Sequence, residues 1–339
     1  MPTTKATAAH RSARTPLLSL AGFTLAAALL GAPGARAAEF KVINLNATGA
    51  WNGAAPCLTA DRQTDASIAQ RLSSMGGGKA LVEADVAGFR LIAQPAPLVR
   101  AFKEITAQLP SRTSNARDGD CHDVSCASRA VFGQAVGTRL LLLAAAYRYN
   151  AVGLVGGASA WTPAQLDLVL ASFGDLPTAA FITTSNQYRT FRDSTAKAFP
   201  ATVLAAHRQG VAAEAGEGQP GITVYPHFHQ ASAKERRAIV VHEMAHEFAR
   251  GFADRGDWKS AWAEAAALDA AQAGENETSF ASGYAQTNVD EDFAESVVAY
   301  RYSAAMLLKR APHRYAILRQ QMFSGVEYQA GGTCALAAA

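Results

Sequence analysis

Two histidines four residues apart, with a glutamate directly after the first, form the most informative pattern in this sequence: His242-Glu243-Met244-Ala245-His246. Residues four apart on a helix face the same way, so the two imidazoles can bind one zinc ion. Glu243 would be close enough to take a proton from a zinc-activated water and to pass it to a leaving amine. The pattern therefore predicts a Zn²⁺ site, one ion per chain, with a general base beside it. The alternative is a pair of ordinary, partly buried histidines.

Two histidines leave zinc under-coordinated, so a third ligand is required. A metzincin would have glycine at 249 and His or Asp at 252, and Ala249 and Phe252 exclude that class. The dense acidic cluster at 290–295 contains Glu291 and Glu295, four apart on one helical face among apolar neighbours. Surface charge at a helix start is the alternative explanation, but a half-apolar face favours a ligand. Spacing allows either glutamate, and a position in the first helical turn favours Glu291.

The segment 282–295, which reads SGYAQTNVDEDFAE, resembles the second signature of the catalytic domain of anthrax lethal factor and related bacterial metallopeptidases. These enzymes are gluzincins, zincins whose third zinc ligand is a glutamate. The shared pattern is a tyrosine, a glutamate seven residues later, and then an aromatic-Ala-Glu run. Together with the histidine pentamer, the resemblance covers about residues 220–325.

The resemblance implies a role for each residue of the site. The zinc ligands would be His242, His246 and Glu291. Glu243 would be the general base, and Tyr284 would stabilise the oxyanion or protonate the leaving group. Glu295 would orient a ligand histidine without touching the metal.

Local signals predict the helices that carry these residues. A capping box at 232–235 opens a helix that ends near Arg250, with Gly251 as its stop, and a second capping signal at 288–291 opens a helix to about Tyr302. An apolar face supports the first of these helices; it consists of Val241, Met244, Ala245, Phe248 and Phe252. Further helices are predicted at 96–107, 127–149, 163–174, 185–198, 258–272 and 312–323.

A short strand is predicted at 222–225, after a loop at 214–221. In zincins the strand before the metal helix often borders the cleft and pairs with the substrate backbone, which suggests that role for 222–225. His227 and His229 follow the strand, but loop histidines are more often solvated, so neither is assigned to the site.

The predicted fold class is α+β: a zincin-like, mostly helical catalytic domain with a small sheet next to the H-E-x-x-H helix. Four regions are expected. They are a signal peptide at 1–37, an N-terminal region of unknown role at 38–125, the metallopeptidase domain at 126–325, and a tail at 326–339.

The N-terminus has the pattern of an export signal. A positive stretch precedes an apolar run at 17–30, and Ala35-Arg36-Ala37 forms a small-x-small cleavage site before Ala38. An uncleaved membrane anchor is the alternative, but the run is short for a bilayer. We therefore expect a secreted or periplasmic protein with no membrane span in the mature chain.

Removing residues 1–37 changes the charge balance of the 339-residue chain. The segment contains four basic residues and no acid, so 31 basic residues become 27 against 28 acidic ones, and the net charge changes from +3 to −1. A mature chain of this charge offers no electrostatic case for nucleic acid as a partner.

The four cysteines, Cys57, Cys121, Cys126 and Cys334, lie in the mature part. An even number in an exported protein favours two disulfides. Of the three connectivities, proximity favours Cys121–Cys126 with Cys57–Cys334. A cysteine zinc site is disfavoured because no C-x-x-C pair exists.

The function that these patterns favour is hydrolysis of peptide bonds in a protein or peptide substrate by a zinc-activated water. An exported, non-enzymatic binding protein with a structural zinc site is the main alternative. Glu243 and Tyr284 favour the enzyme, since a structural site needs neither a base nor an oxyanion donor. Zinc-dependent hydrolysis of a non-peptide amide is a third option.

Overall fold

The computed structural model describes residues 62–107, 109, 121–151, 154–155, 158–159, 161–176, 187–193, 211–216, 221–253, 258–274, 277–323, 325 and 327–328. These residues all belong to one structural unit, 38–339. The predicted signal peptide at 1–37 lies outside the described residues, as do Cys57 and Cys334.

Helices form most of the described structure. They are α1 (Asp65–Ser74), α2 (Ala96–Thr106), α3 (Val124–Phe132), α4 (Gln134–Tyr147), α5 (Pro163–Gly174), α6 (Pro226–Gln230), α7 (Ala233–Ala253), α8 (Trp258–Gln272), α9 (Val289–Tyr302), α10 (Ala304–Arg310) and α11 (Pro312–Ile317). A 3₁₀ turn at Tyr284–Gln286 precedes α9, and a π-helical turn at Leu318–Met322 continues α11. None of the helices in the described ranges combines the length and apolar character needed to cross a membrane.

The strands form small sheets. They are β1 (Leu81–Val86), β2 (Phe89–Pro95), β3 (Tyr149–Asn150), β4 (Leu154–Val155), β5 (Ala158–Ser159), β6 (Arg189–Asp193), β7 (Ala213–Ala215) and β8 (Gly221–Val224). The largest sheet has the order β3-β6-β8-β7, in which β3 and β7 are the edge strands and β7 runs antiparallel to β8. The mostly helical content with small sheets agrees with the α+β class.

Close contact between β6 and β8 depends on glycine at the start of β8. Gly221 has φ +142°, and a Cβ there would lie 2.1 Å from the carbonyl oxygen of Thr190. A larger residue would therefore push β8 away from β6. Because α7 follows soon after β8 in the chain, this contact helps to fix where the helix that carries His242 and His246 begins.

The predicted start signals of the two site helices are confirmed. Ser232 Oγ accepts from the backbone N–H of Glu235, and Glu235 Oε2 accepts from the N–H of Ser232. Asn288 Oδ1 accepts from the N–H groups of Asp290 and Glu291. The helix α7 continues to Ala253, past the stop predicted at Gly251. A single glycine is tolerated within a long helix.

Four of the five residues on the predicted apolar face of α7 are buried, and the side chain of the fifth, Phe252, lies outside the described part of the structure. Val241 and Ala245 are completely enclosed, and Met244 and Phe248 are almost so. Phe248 lies against Phe293 of α9, with ring centroids 6.4 Å apart. This packing turns the remaining faces of α7 and α9 toward a shared cleft.

A buried aspartate links α5 to the start of α7 and the end of α9. Asp175 follows α5, and its carboxylate accepts from Arg237 of α7, with Nε at 3.0 Å. It also accepts from Nη2 of Arg301 at 3.2 Å and from the hydroxyl of Tyr302 at 2.8 Å, both on α9. The two helices that carry the site are therefore tied together away from it as well.

Three sequence-based expectations for secondary structure are wrong in part. The helix expected at 185–198 is instead β6 where the structure describes it, because pairing with β3 and β8 on both sides overrides the local pattern. The loop expected at 214–221 contains most of β7 and the first residue of β8. The helix expected at 127–149 is two helices, α3 and α4, separated by Gly133 with φ +88°.

The N-terminal region contains one predicted feature and one unpredicted feature. The predicted Cys121–Cys126 disulfide is present, whereas the hairpin β1–β2 was not predicted. The described part of 38–125 packs on the core of the following region: α1 and α2 both contact α4. The division at residue 125 stays a prediction.

Candidate metal centre and cleft

The helix α7 places two imidazoles side by side on one face. His242 and His246 are one turn apart, and their rings meet edge to face with centroids 4.7 Å apart. Their Nε2 atoms lie 3.0 Å from each other. Both side chains are mostly buried, with 12% and 16% of their surface exposed. The two nitrogens therefore converge on one point at the edge of the cleft.

A carboxylate from α9 completes the group. Glu291 is in the first turn of α9, and its Oε2 lies 3.0 Å from Nε2 of His242 and 3.4 Å from Nε2 of His246. His242, His246 and Glu291 are the one group of three candidate ligands that can hold a metal ion among the described residues.

The geometry of these three atoms fits a metal ion. Ligands about 2.0–2.1 Å from a tetrahedral zinc ion stand about 3.3–3.4 Å from one another, close to the observed separations of 3.0, 3.0 and 3.4 Å. Glu291 Oε2 is buried, yet it makes no well-aligned hydrogen bond with a described residue. A buried oxygen without a hydrogen bond is costly, and a cation at the centre of the group would remove that cost.

Glu295 sits one turn further along α9 and contacts the opposite side of His242. Its Oε1 lies 2.8 Å from Nδ1 of His242. This contact places a proton on Nδ1, by inference from the hydrogen bond, so that Nε2 is the nitrogen that can bind a metal ion. The Glu295 carboxylate also bonds the Ser282 side chain, and both bonds lower its pKa although burial opposes the shift.

The charges in the group favour a cation at its centre. Burial alone would lower the pKa of His242, but the adjacent Glu291 and Glu295 carboxylates outweigh burial and raise it to about 9. Burial alone would raise the pKa of Glu291, but the adjacent imidazoles of His242 and His246 lower it to about 2. The carboxylates therefore stabilise a positive charge between the imidazoles, either a proton or a metal ion.

Glu243 lies beside this group and lines the cleft. It is 6% exposed. Burial raises its pKa, while the nearby histidines His242 and His246 oppose the increase. A carboxylate with a raised pKa is a better proton acceptor than a solvated one, as a general base requires.

Tyr284 lies on the 3₁₀ turn before α9 and is 57% exposed. Its ring centroid is 6.0 Å from that of His242. Burial of part of the ring and the charges of Glu291 and Glu243 raise the pKa of its hydroxyl, which therefore stays protonated and able to donate a hydrogen bond near neutral pH.

The cleft consists of two adjoining cavities of about 620 and 530 Å³, both lined by His242, Glu243 and Tyr284. The edge strand β7 borders them through Ala213, with Val211 just before it. The expectation that 222–225 borders the cleft is therefore wrong, because β8 lies inside the sheet and its residues are buried.

Sequence reasoning missed two parts of this site. The first is β7, a strand of three residues in a glycine-rich stretch that gives no local strand signal. The second is Ser282, which bonds Glu295 and whose Oγ accepts from the N–H of Ala285. His227 and His229 lie on α6 and line neither cavity of the cleft, in agreement with the expectation that neither belongs to the site. His229 Nε2 is 3.0 Å from Asp193 Oδ2.

Comparison of the chain with protein families, with curated proteins and with solved structures finds no match.

Proposed function

We propose that this chain is an exported zinc metallopeptidase of the gluzincin type, with a zincin-like catalytic fold and a protein or peptide substrate. The observation that carries the proposal is the convergence of His242, His246 and Glu291 within metal-binding distance at the edge of a cleft, with the buried carboxylate of Glu243 beside them. Two imidazoles and one carboxylate form a donor set typical of catalytic zinc.

When bound, zinc acts as a Lewis acid that lowers the pKa of water to roughly 7. Glu243 then accepts a proton from the attacking water and delivers it to the leaving amine. Tyr284 donates a hydrogen bond to the oxygen on which negative charge develops. Glu295 keeps His242 in the tautomer that presents Nε2 to the metal.

The edge strand β7 supports a peptide as the substrate. Among the described strands it pairs with β8 alone. The carbonyl oxygen of Ala215 accepts from Nη2 of Arg250, and the other backbone groups on the side of β7 away from β8 can pair with an extended chain lying in the cleft. Val211, Ala213, Ile239 and Val298 give part of this cleft an apolar wall.

The test is incubation of the purified protein with denatured, fluorescently labelled protein substrates. We expect hydrolysis that a chelator abolishes and added Zn²⁺ restores. Retention of one zinc ion per chain with no hydrolysis of any substrate would favour the non-enzymatic alternative. Hydrolysis that a chelator leaves unchanged would overturn the proposal.

A further inference from the structure

A buried network of charged side chains lies next to the start of α9. Arg314 of α11 is fully buried; its Nε donates to Asp269 Oδ2 at 3.0 Å and its Nη1 donates to Asp292 Oδ1 at 2.5 Å. Its Nη2 donates to the carbonyl oxygen of Ser279. Trp262 of α8 donates from Nε1 to Asp292 Oδ2 at 2.8 Å. These five residues form the Arg314 network.

The Arg314 network meets the metal centre through neighbouring residues of α9. Asp292 directly follows Glu291, and successive residues on a helix point about 100° apart. Glu291 therefore faces the histidines of α7 while Asp292 faces α8 and α11. A rotation of this first turn would break the bonds of Asp292 to Arg314 and Trp262 as it moved Glu291 away from His242 and His246.

The same guanidinium also holds the segment that leads to Tyr284. Ser279, whose carbonyl accepts from Arg314, lies five residues before Tyr284. Within that segment, Ser282 bonds both the backbone of the Tyr284 turn and the carboxylate of Glu295. One buried side chain therefore fixes both the helix that carries Glu291 and the loop that carries Tyr284.

Energetics support a positioning role for these charges. Burying a guanidinium and two carboxylates requires the loss of their hydration, and the attraction between them often only offsets that loss. Apolar residues of similar volume would therefore stabilise the contact between α8, α9 and α11 about as well. What they would lack is the directional hydrogen bonding that sets the rotation of α9.

From this arrangement we infer that Arg314 is a positioning residue for the metal centre, acting through Asp292 on Glu291 and through Ser279 on Tyr284. The inference rests on the proposed metal site at His242, His246 and Glu291.

A second buried arginine in this protein provides a matched control. Arg139 of α4 is also buried and bonds two aspartates: its Nε donates to Asp167 Oδ1 and its Nη1 to Asp65 Oδ1, both at 2.7 Å. Asp167 is buried, whereas 56% of the Asp65 side chain is exposed. None of these three residues lines the cleft. Replacing either arginine by lysine removes the same forked hydrogen bonding while keeping the charge.

The experiment measures Zn²⁺ affinity by competition with a chromophoric chelator, thermal stability, and the visible absorption spectrum of the Co²⁺-loaded protein. We expect both Arg314→Lys and Arg139→Lys to lose stability, and Arg314→Lys to lose more because both of its aspartates are buried. Arg314→Lys should also bind Zn²⁺ about 10- to 100-fold more weakly, the scale typical of groups that support metal ligands, with a changed Co²⁺ spectrum. Arg139→Lys should stay within about twofold of the unmodified protein in Zn²⁺ affinity.

If Arg314→Lys does not fold, Asp292→Asn and its match Asp167→Asn replace the pair, with the same expected contrast. The variant His246→Ala should abolish Zn²⁺ binding. If it does, the inference is overturned when both members of a pair weaken Zn²⁺ binding equally, or when neither member weakens it. If the unmodified protein retains Zn²⁺ no better than His246→Ala, the proposed metal site itself is wrong. The two failures are therefore distinguishable.

Discussion

The two glutamates of α9 give the sharpest prediction, because the structure assigns them different atoms of the same histidine. Glu291 Oε2 lies against Nε2 of His242 and of His246, whereas Glu295 Oε1 lies against Nδ1 of His242. We expect Glu291→Ala to lose Zn²⁺ at sub-micromolar free metal, because two protein ligands remain. Glu295→Ala should retain most of its Zn²⁺, because all three ligands remain.

The expected loss in Glu295→Ala follows from its hydrogen bond to His242. A hydrogen bond to a charged group contributes about 1.5–3 kcal/mol. The Glu295 side chain is 22% exposed, so water partly replaces the lost bond, and the lower part of the range, about 1.5–2 kcal/mol, applies. At about 1.4 kcal/mol per tenfold change, Zn²⁺ should bind about 10- to 30-fold more weakly. The loss in Glu291→Ala should exceed this range.

Competition with a chromophoric chelator measures both affinities, and metal analysis after dialysis gives an independent check. Glu295→Gln is the intermediate control, because its amide oxygen can still accept from Nδ1–H of His242; its loss should be smaller than that of Glu295→Ala. If Glu295→Ala were metal-free while Glu291→Ala stayed loaded, the ligand assignment would be wrong by one helical turn.

Three further predictions concern other residues. Tyr284→Phe should keep its Zn²⁺ and lower kcat for peptide hydrolysis about 10- to 100-fold. This is less than the loss of about 10²–10³ in kcat that removal of an oxyanion donor causes, because the Tyr284 side chain is half exposed. An unchanged kcat would remove Tyr284 from the mechanism. The pKa of His242 without metal is about 9, so Zn²⁺ should displace about one proton near pH 7, and the Zn²⁺ affinity should rise about tenfold per pH unit up to about pH 9. Calorimetry in buffers of different ionisation enthalpy should detect that proton. Binding heats that do not depend on the buffer would contradict the prediction. Mass spectrometry of the non-reduced protein should find Cys121 and Cys126 joined and resistant to alkylation, and a free thiol on either one would contradict the disulfide.

Features set by local sequence were predictable. The start of α7 follows from Ser232 and Glu235, and that of α9 follows from Asn288, because capping bonds join residues two or three apart. The one-turn spacing of His242 and His246 is equally local. The positions of the two site helices therefore follow from local sequence alone.

Features set by contacts between distant segments were not predictable. Residues 189–193 form a strand because β3 and β8 pair with them on both sides, and nothing within the segment itself demands this. The short strand β7 depends in the same way on β8. Arg314 carries no local signal either, since its partners Asp269, Asp292 and Ser279 come from three separate segments.

The measurement that tests the central claim most directly is the Zn²⁺ content and the peptide-hydrolysis rate of Glu243→Gln beside the unmodified protein. The substitution removes the proton acceptor while keeping the size of the side chain and all three proposed ligands. The account predicts one Zn²⁺ per chain in both proteins and a rate at least about 100-fold lower in Glu243→Gln, the scale of general-base catalysis. Equal rates in the two zinc-loaded proteins would contradict it.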